Sequence, residues 1–301
     1  MQILRAEELG MCFGVRDALA AIDAIKEPTK VTIHGELVHN PEVLAQLDRR
    51  GFHRSAEHSR PIPATPAVLV TAHGISERER ERLRAAGKQI LDTTCPLVRK
   101  VHEVARALER TGHRVIVIGK HDHVEVRGIT EDLRDPIVLG SAADVGTWPE
   151  SRFGIVCQTT SQEATVVPIV AAVRAANRHA SVQFVDTVCS PTRARVAALE
   201  DLLPKVDALV VVGGRDSNNT QKLVLTGERY GLPVLHVENA SELRPEWFLG
   251  CRRLGLTAGT STLPATIEAV YARLRAIAAA EPRESAPERR AAEPARHPLV
   301  G

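Results

Sequence analysis

Short runs of apolar, β-branched residues alternate with amphipathic stretches along almost the whole chain, and this alternation constrains the fold more than any other feature. Strands separated by helical crossovers pair in parallel, so the pattern specifies α/β sheets covered by helices. The strand-like runs are Val31–His34, Ala67–Ala72, Arg114–Gly119, Phe153–Cys157, Val182–Val185, Ala208–Val212, Pro233–His236 and Arg253–Thr257. The helix-like stretches carry their own punctuation. Asn40-Pro41 is an N-cap followed by proline in the first turn, and Gly51 closes that helix. Ser76 with Glu79 reads as a capping box, and Gly87 ends the segment. Residues 96–112 place Leu97, Val101, Val104, Ala105 and Leu108 at helical spacing. Further helices are predicted over 162–177, 192–203, 219–230 and 264–278.

Five cysteines punctuate this pattern. The number is odd and too small for a disulfide scaffold. Residues 1–10 do not read as a signal peptide, and no apolar run approaches the ~18 residues needed to span a bilayer. A cytoplasmic protein with reduced thiols and no membrane contact is therefore expected. Cys12 lies in a Gly-flanked turn before a helix, while Cys95 and Cys189 lie where a strand gives way to a helix. They are 83 and 94 residues apart, about one small α/β unit each. Strand C-termini and helix N-termini are where α/β proteins place sites, and a helix N-terminus favours the thiolate. Three such thiolates suit an iron–sulfur cluster with one iron left open; isolated core thiols are the alternative. Cys157 ends an apolar strand and reads as a core thiol. Cys251 sits in a polar loop and reads as incidental.

Other polar residues recur at strand ends. His39, His73 and His123 each follow a strand, which invites an anionic ligand or a metal. His123 and Glu125, two apart on an extended segment, would point the same way and suit a proton relay. Gln158-Thr159-Thr160 directly follows the Phe153–Cys157 strand and offers hydroxyls to a substrate or to a helix cap. The run from Gly213 to Thr220 opens a helix with glycines, Ser217, Asn218 and Asn219, an anion cradle. Residues 257–262, with Ser261, repeat the theme. A net charge of +2, from 39 Lys+Arg against 37 Asp+Glu, and only five Phe, two Trp and two Tyr argue against a nucleic-acid binder. Residues 281–301 have no apolar period and read as a disordered tail.

The ordered set Cys12-x-Gly14-Val15, Val38-His39-Asn40, Ala72-His73-Gly74, Asp92-x-Thr94-Cys95-Pro96, His123-x-Glu125, Gln158-Thr159-Thr160, Ser217-x-Asn219 and Thr257-Ala258-Gly259-x-Ser261 resembles the 4-hydroxy-3-methylbut-2-enyl diphosphate reductase (LytB-type) family, from Met1 to about Ala278. The resemblance implies three similar α/β lobes in a trefoil around a central 4Fe-4S cluster. The lobes are expected at 13–95, 96–188, and 189–280 together with 1–12. It implies cluster ligation by Cys12, Cys95 and Cys189 with one open iron. It implies diphosphate contacts from His39, His73, His123, Ser217, Asn218, Asn219 and Ser261, and places Thr159 near the substrate hydroxyl and Glu125 as proton donor. The implied partners are a small allylic diphosphate substrate and a ferredoxin or flavodoxin electron donor, the chain acting as a monomer or homodimer. Val124 stands where the family has Pro, Asn218 where it has a second Ser, and Met11 where it has an aromatic. A quinolinate synthase-like protein, also with one Cys per lobe, would lack the Gln158-Thr159-Thr160 and His123-x-Glu125 set.

Overall fold

The structure is a computed structural model that describes residues 1–57 and 59–280. The expected tail at 281–301 lies outside the described residues.

Strand β1 (Gln2–Arg5) opens the chain, but its sheet is completed only near the other end. Helix α1 (Phe13–Asp23) follows, and then a first sheet forms from β2 (Val31–Ile33), β3 (His53–Arg54), β4 (Ala67–Val70) and β5 (Gln89–Asp92). Helices α2 (Pro41–Arg49) and α3 (Glu77–Ala85) make its crossovers. Helix α4 (Pro96–Arg110) leads into a second sheet of β6 (Arg114–Ile118), β7 (Ile137–Leu139), β8 (Arg152–Cys157) and β9 (Ser181–Phe184), with α5 (Val124–Thr130) and α6 (Glu163–Ala176) between strands. Helix α7 (Ser190–Leu202) leads into β10 (Ala208–Val212), α8 (Asn218–Arg229), β11 (Val234–Val237), β12 (Arg253–Ala258) and α9 (Pro264–Ala280).

All pairings are parallel, and one order recurs. The first sheet runs β3-β2-β4-β5 and the second β7-β6-β8-β9. The third runs β11-β10-β12-β1, the same arrangement with its last strand taken from the N-terminus. Gln2 pairs with Arg253 and Arg5 with Leu256, so the chain closes on itself through this sheet. The molecule is thus three α/β lobes of one topology. The central strands are apolar on both faces because helices cover both. Ala67–Val70 is buried throughout, as are Val115–Ile118 and Leu209–Val212. Each fully buried Val, Leu or Ile in these strands contributes roughly 1.5–3 kcal/mol. Gly154 shows how tightly helix meets sheet: a Cβ there would lie 2.9 Å from Leu108, so glycine lets α4 seat on β8.

The structure departs from the sequence reading in three places, the first of which bears on the site. Residues 124–130 form a helix, not an extended segment, and His123 is its N-cap. Ser76 accepts from the Glu79 amide at 3.0 Å, but the Glu79 carboxylate turns to His34 and Arg82, so only half a capping box forms. Cys251 packs its side chain against the third lobe's core and is not merely a loop thiol. Cys157 is fully buried, as expected.

Candidate active site

Each of the three cysteines Cys12, Cys95 and Cys189 follows the last strand of one lobe and is the N-cap of the helix that begins the next. Their backbones are fixed the same way. The Cys12 amide donates to Thr260 O at 3.1 Å, Cys95 to Ala72 O at 3.1 Å and Cys189 to Thr159 O at 2.9 Å. In every lobe the acceptor lies in the loop after the third strand. Fold symmetry therefore aims all three thiols into one cavity, which Cys12, Cys95 and Cys189 line together. Gly14 keeps that approach open, since a Cβ there would lie 2.7 Å from the Cys95 sulfur. Burial pushes the Cys95 and Cys189 thiols up from their ordinary range, and the charge of Cys12 pushes both the same way. A soft cation relieves that mutual repulsion and draws off the protons.

Glu125, His123, Thr159, His39, His73, Ser217, Asn218, Asn219 and Ser261 line the same cavity. Glu125 is 2% exposed. Its Oε1 accepts the Thr159 amide at 2.6 Å and its Oε2 accepts the Thr159 hydroxyl at 3.0 Å. Burial raises its pKa to about 7, outweighing these bonds, which favour the carboxylate. A buried carboxyl that holds its proton near neutrality is what a general acid needs.

The three imidazoles touch: ring centroids lie 4.8 Å apart for His39–His73 and 5.5 Å for each of these with His123. Burial, then the charges of His39 and His123, holds His73 well below its ordinary range. Burial likewise brings His123 down to about 3. The His123 Nδ1 accepts the Glu125 amide at 3.1 Å, so the neutral ring carries its proton on Nε2 and keeps a donor to spare. His39 donates from Nδ1 to the Glu36 carboxylate at 2.9 Å. A metal ion would need lone pairs from all three rings, whereas an anion takes N–H donors. The His123 tautomer therefore favours an anion among the two ligands that the histidine pattern invites.

The hydroxyl and amide residues divide. Ser217 caps α8 by accepting the Thr220 amide at 3.3 Å, and Asn219 accepts the Thr260 amide at 3.0 Å. Asn218 donates to the Thr160 hydroxyl at 2.7 Å, and the Ser261 hydroxyl lies 3.3 Å from His39 O. Asn218 and Ser261 thus bond across to neighbouring lobes while facing the cavity, whereas Ser217 and Asn219 bond within their own. Lys222, one turn after Asn218 on α8, went unread in the sequence. Its Nζ donates to Thr160 O at 2.8 Å, and burial lowers its pKa to about 8 against the pull of Glu125. The i, i+4 spacing from Asn218 was the available signal. Asn40 also does more than cap α2, since its Nδ2 donates to Ser261 O at 2.6 Å across the lobe boundary.

Known proteins resemble this chain over nearly its full length. The "LytB protein" family model matches residues 3–275. The 4-hydroxy-3-methylbut-2-enyl diphosphate reductase of Aquifex aeolicus is 34% identical, covering 92% of this chain and 97% of that protein. Its namesake from Methylibium petroleiphilum is 35% identical over 94% and 88%. A solved structure of (E)-4-hydroxy-3-methyl-but-2-enyl diphosphate reductase superposes with a TM-score of 0.65 at 33% identity, covering 91% of this chain and 99% of that one. The Plasmodium falciparum reductase structure gives a TM-score of 0.83 over 91% and 87%, and at 24% identity it bears on the fold alone. On the family match and the breadth of these likenesses, the chain belongs to the LytB protein family.

Proposed function

We propose that this chain removes the hydroxyl of 4-hydroxy-3-methylbut-2-enyl diphosphate by two-electron reduction. The products are isopentenyl diphosphate and dimethylallyl diphosphate, and the reaction ends the non-mevalonate route to isoprenoids. One observation carries the reading: three cysteines at helix N-caps, a buried Glu125–Thr159 pair and a cluster of imidazole, hydroxyl and amide groups share one cavity. Relatives that span the chain bear the same reductase name.

Cys12, Cys95 and Cys189 would hold a 4Fe-4S cluster with one open iron, since they are the cysteines lining the cavity among the described residues. The soft donor set and the space left by Gly14 fit such a group. When bound, it supplies electrons one at a time and a Lewis-acidic iron. The rest falls to the chain. Two electrons and two protons are consumed; one proton leaves with the hydroxyl as water and the other joins the carbon skeleton. Glu125 holds a proton at its carboxyl, and the Thr159 hydroxyl beside Oε2 relays it towards the substrate oxygen. His39, His73, His123, Ser217, Asn218, Asn219 and Ser261 grip the diphosphate, helped by the backbone amides at the start of α8. A bound diphosphate favours the cationic form of the imidazoles, against the burial that disfavours it. The lobes divide at the cysteines, at 13–95, 96–188 and 189–280 with 1–12. The electron donor is a separate ferredoxin or flavodoxin. One chain supplies every proposed site residue, so a monomer or homodimer in the cytoplasm suffices. No helix among the described residues is long and apolar enough to cross a membrane.

The pH profile tests the acid role within this reaction. Only the protonated Glu125 donates, so turnover with a chemical reductant falls as pH rises through about 7. The anionic substrate pushes that fall-off upward, not downward. Turnover that climbs steadily through this range contradicts Glu125 as the donor.

A further inference from the structure

Arg195 lies on α7, six residues after Cys189, and is only 4% exposed. Its Nε donates to Gly10 O at 2.8 Å, and its guanidinium donates a second bond to Pro191 O at 3.0 Å. Gly10 is two residues from Cys12, and Pro191 is two residues from Cys189. One side chain thus ties together the two segments that carry those thiols. Among the described residues, Arg195 has no carboxylate within ion-pair distance; its bonds go to neutral carbonyls. Burial is the largest influence on its charge and disfavours it. Cys12, Glu8 and Cys189 favour the charge, and Arg16 opposes it. An unpaired buried cation is costly unless anionic groups lie within reach, and Cys12, then Glu8 and Cys189, are the groups that favour its charge.

We infer that Arg195 is a positioning residue for the three-cysteine site, clamping the Cys12 and Cys189 segments and countering the negative charge of the cluster they hold. The inference rests on the cluster reading above. A fixed cation makes it easier to add an electron to an anionic centre, so Arg195 raises the cluster's reduction potential. The fork geometry supplies the clamp and the charge supplies the potential, so the two roles separate by substitution. Arg195→Gln keeps polarity and loses the charge. Arg195→Lys keeps the charge and loses the two-pronged bond.

The experiment is anaerobic purification of the full chain and both variants, iron and sulfide analysis, and a redox titration followed by electron paramagnetic resonance. In Arg195→Gln the ratio of reduced to oxidised cluster at a fixed potential is expected to fall at least tenfold, a shift of about 59 mV for one electron. Arg195→Lys is expected to hold the parent potential while releasing iron to a chelator faster. An unchanged potential in a fully loaded Arg195→Gln overturns the inference. If Arg195→Gln takes up no cluster, Arg195→Lys decides: loading at the parent potential supports the charge role, and failure to load overturns it. A parent chain without iron and sulfide instead overturns the cluster reading, so the two failures are distinguishable.

Discussion

Replacing Cys95 by serine is expected to abolish iron and sulfide binding and to bring turnover to background, while the fold stays intact. The two consequences separate for a structural reason. Cys95 is the N-cap of α4 and makes no side-chain capping bond. Serine is a preferred N-cap, so the substitution is neutral or stabilises the helix by up to about 1 kcal/mol. What is lost is the soft thiolate: a serine hydroxyl is a hard donor and stays protonated at neutral pH. Cys189 lies in the same context, and its serine variant is expected to behave alike. Circular dichroism and thermal melting check the fold, metal analysis checks the site, and an assay with a chemical reductant checks turnover. A Cys95→Ser protein with the parent's iron content would remove Cys95 from the ligand set.

Glu125→Gln gives the second large effect, through the proton and not the cluster. The amide has the shape of the carboxyl, and its oxygen still accepts the Thr159 amide that Glu125 Oε1 accepts at 2.6 Å. Its NH2 group then donates to the Thr159 hydroxyl, as the protonated Oε2 does in the relay. The geometry of the relay is kept, but the amide has no proton acidic enough to pass on. General acid catalysis of this kind contributes about 10²–10⁴-fold, so kcat is expected to fall by that factor. KM and iron content are expected to change little, because neither the diphosphate donors nor the thiols are touched. Unchanged kcat would remove Glu125 from its role. A lost cluster would move Glu125 from proton transfer to the support of the metal site.

The fold was legible where local physics decides it. Ala208–Val212 is a five-residue apolar strand read directly from the sequence, and the capping residues Asn40 and Ser76 mark real helix starts. The strands missed by periodicity are short or polar, such as His53–Arg54, Gln89–Asp92 and Ile137–Leu139. Edge positions need no apolar face on both sides, so no pattern announces them. Helix α5 was missed because its seven residues include Gly128 and the β-branched Val124, Val126, Ile129 and Thr130, poor helix formers that tertiary packing overrides. This changes the geometry of the proposed acid: Glu125 reaches Thr159 from the first turn of a capped helix, with His123 behind its amide.

The sequence names the residues that line the candidate site but not the side chains that support them. Cysteine context and spacing singled out Cys12, Cys95 and Cys189, and the family resemblance assigned the diphosphate contacts. Lys222 and Arg195 escaped because a buried cation on a helix reads, in one dimension, as a solvated face. Only the packed lobes show that Lys222 holds the Thr160 loop and that Arg195 bridges two cysteine segments. Asn218 illustrates the same limit. It stands at a diphosphate position by resemblance, yet its amide is engaged with Thr160.

The most direct test of the central claim is anaerobic purification, followed by iron and sulfide analysis and by assay of the same sample with 4-hydroxy-3-methylbut-2-enyl diphosphate and a chemical reductant. Iron and inorganic sulfide are expected in equal amounts, with conversion to isopentenyl and dimethylallyl diphosphate in proportion to cluster content. A folded, iron-free chain that turns the substrate over would contradict it.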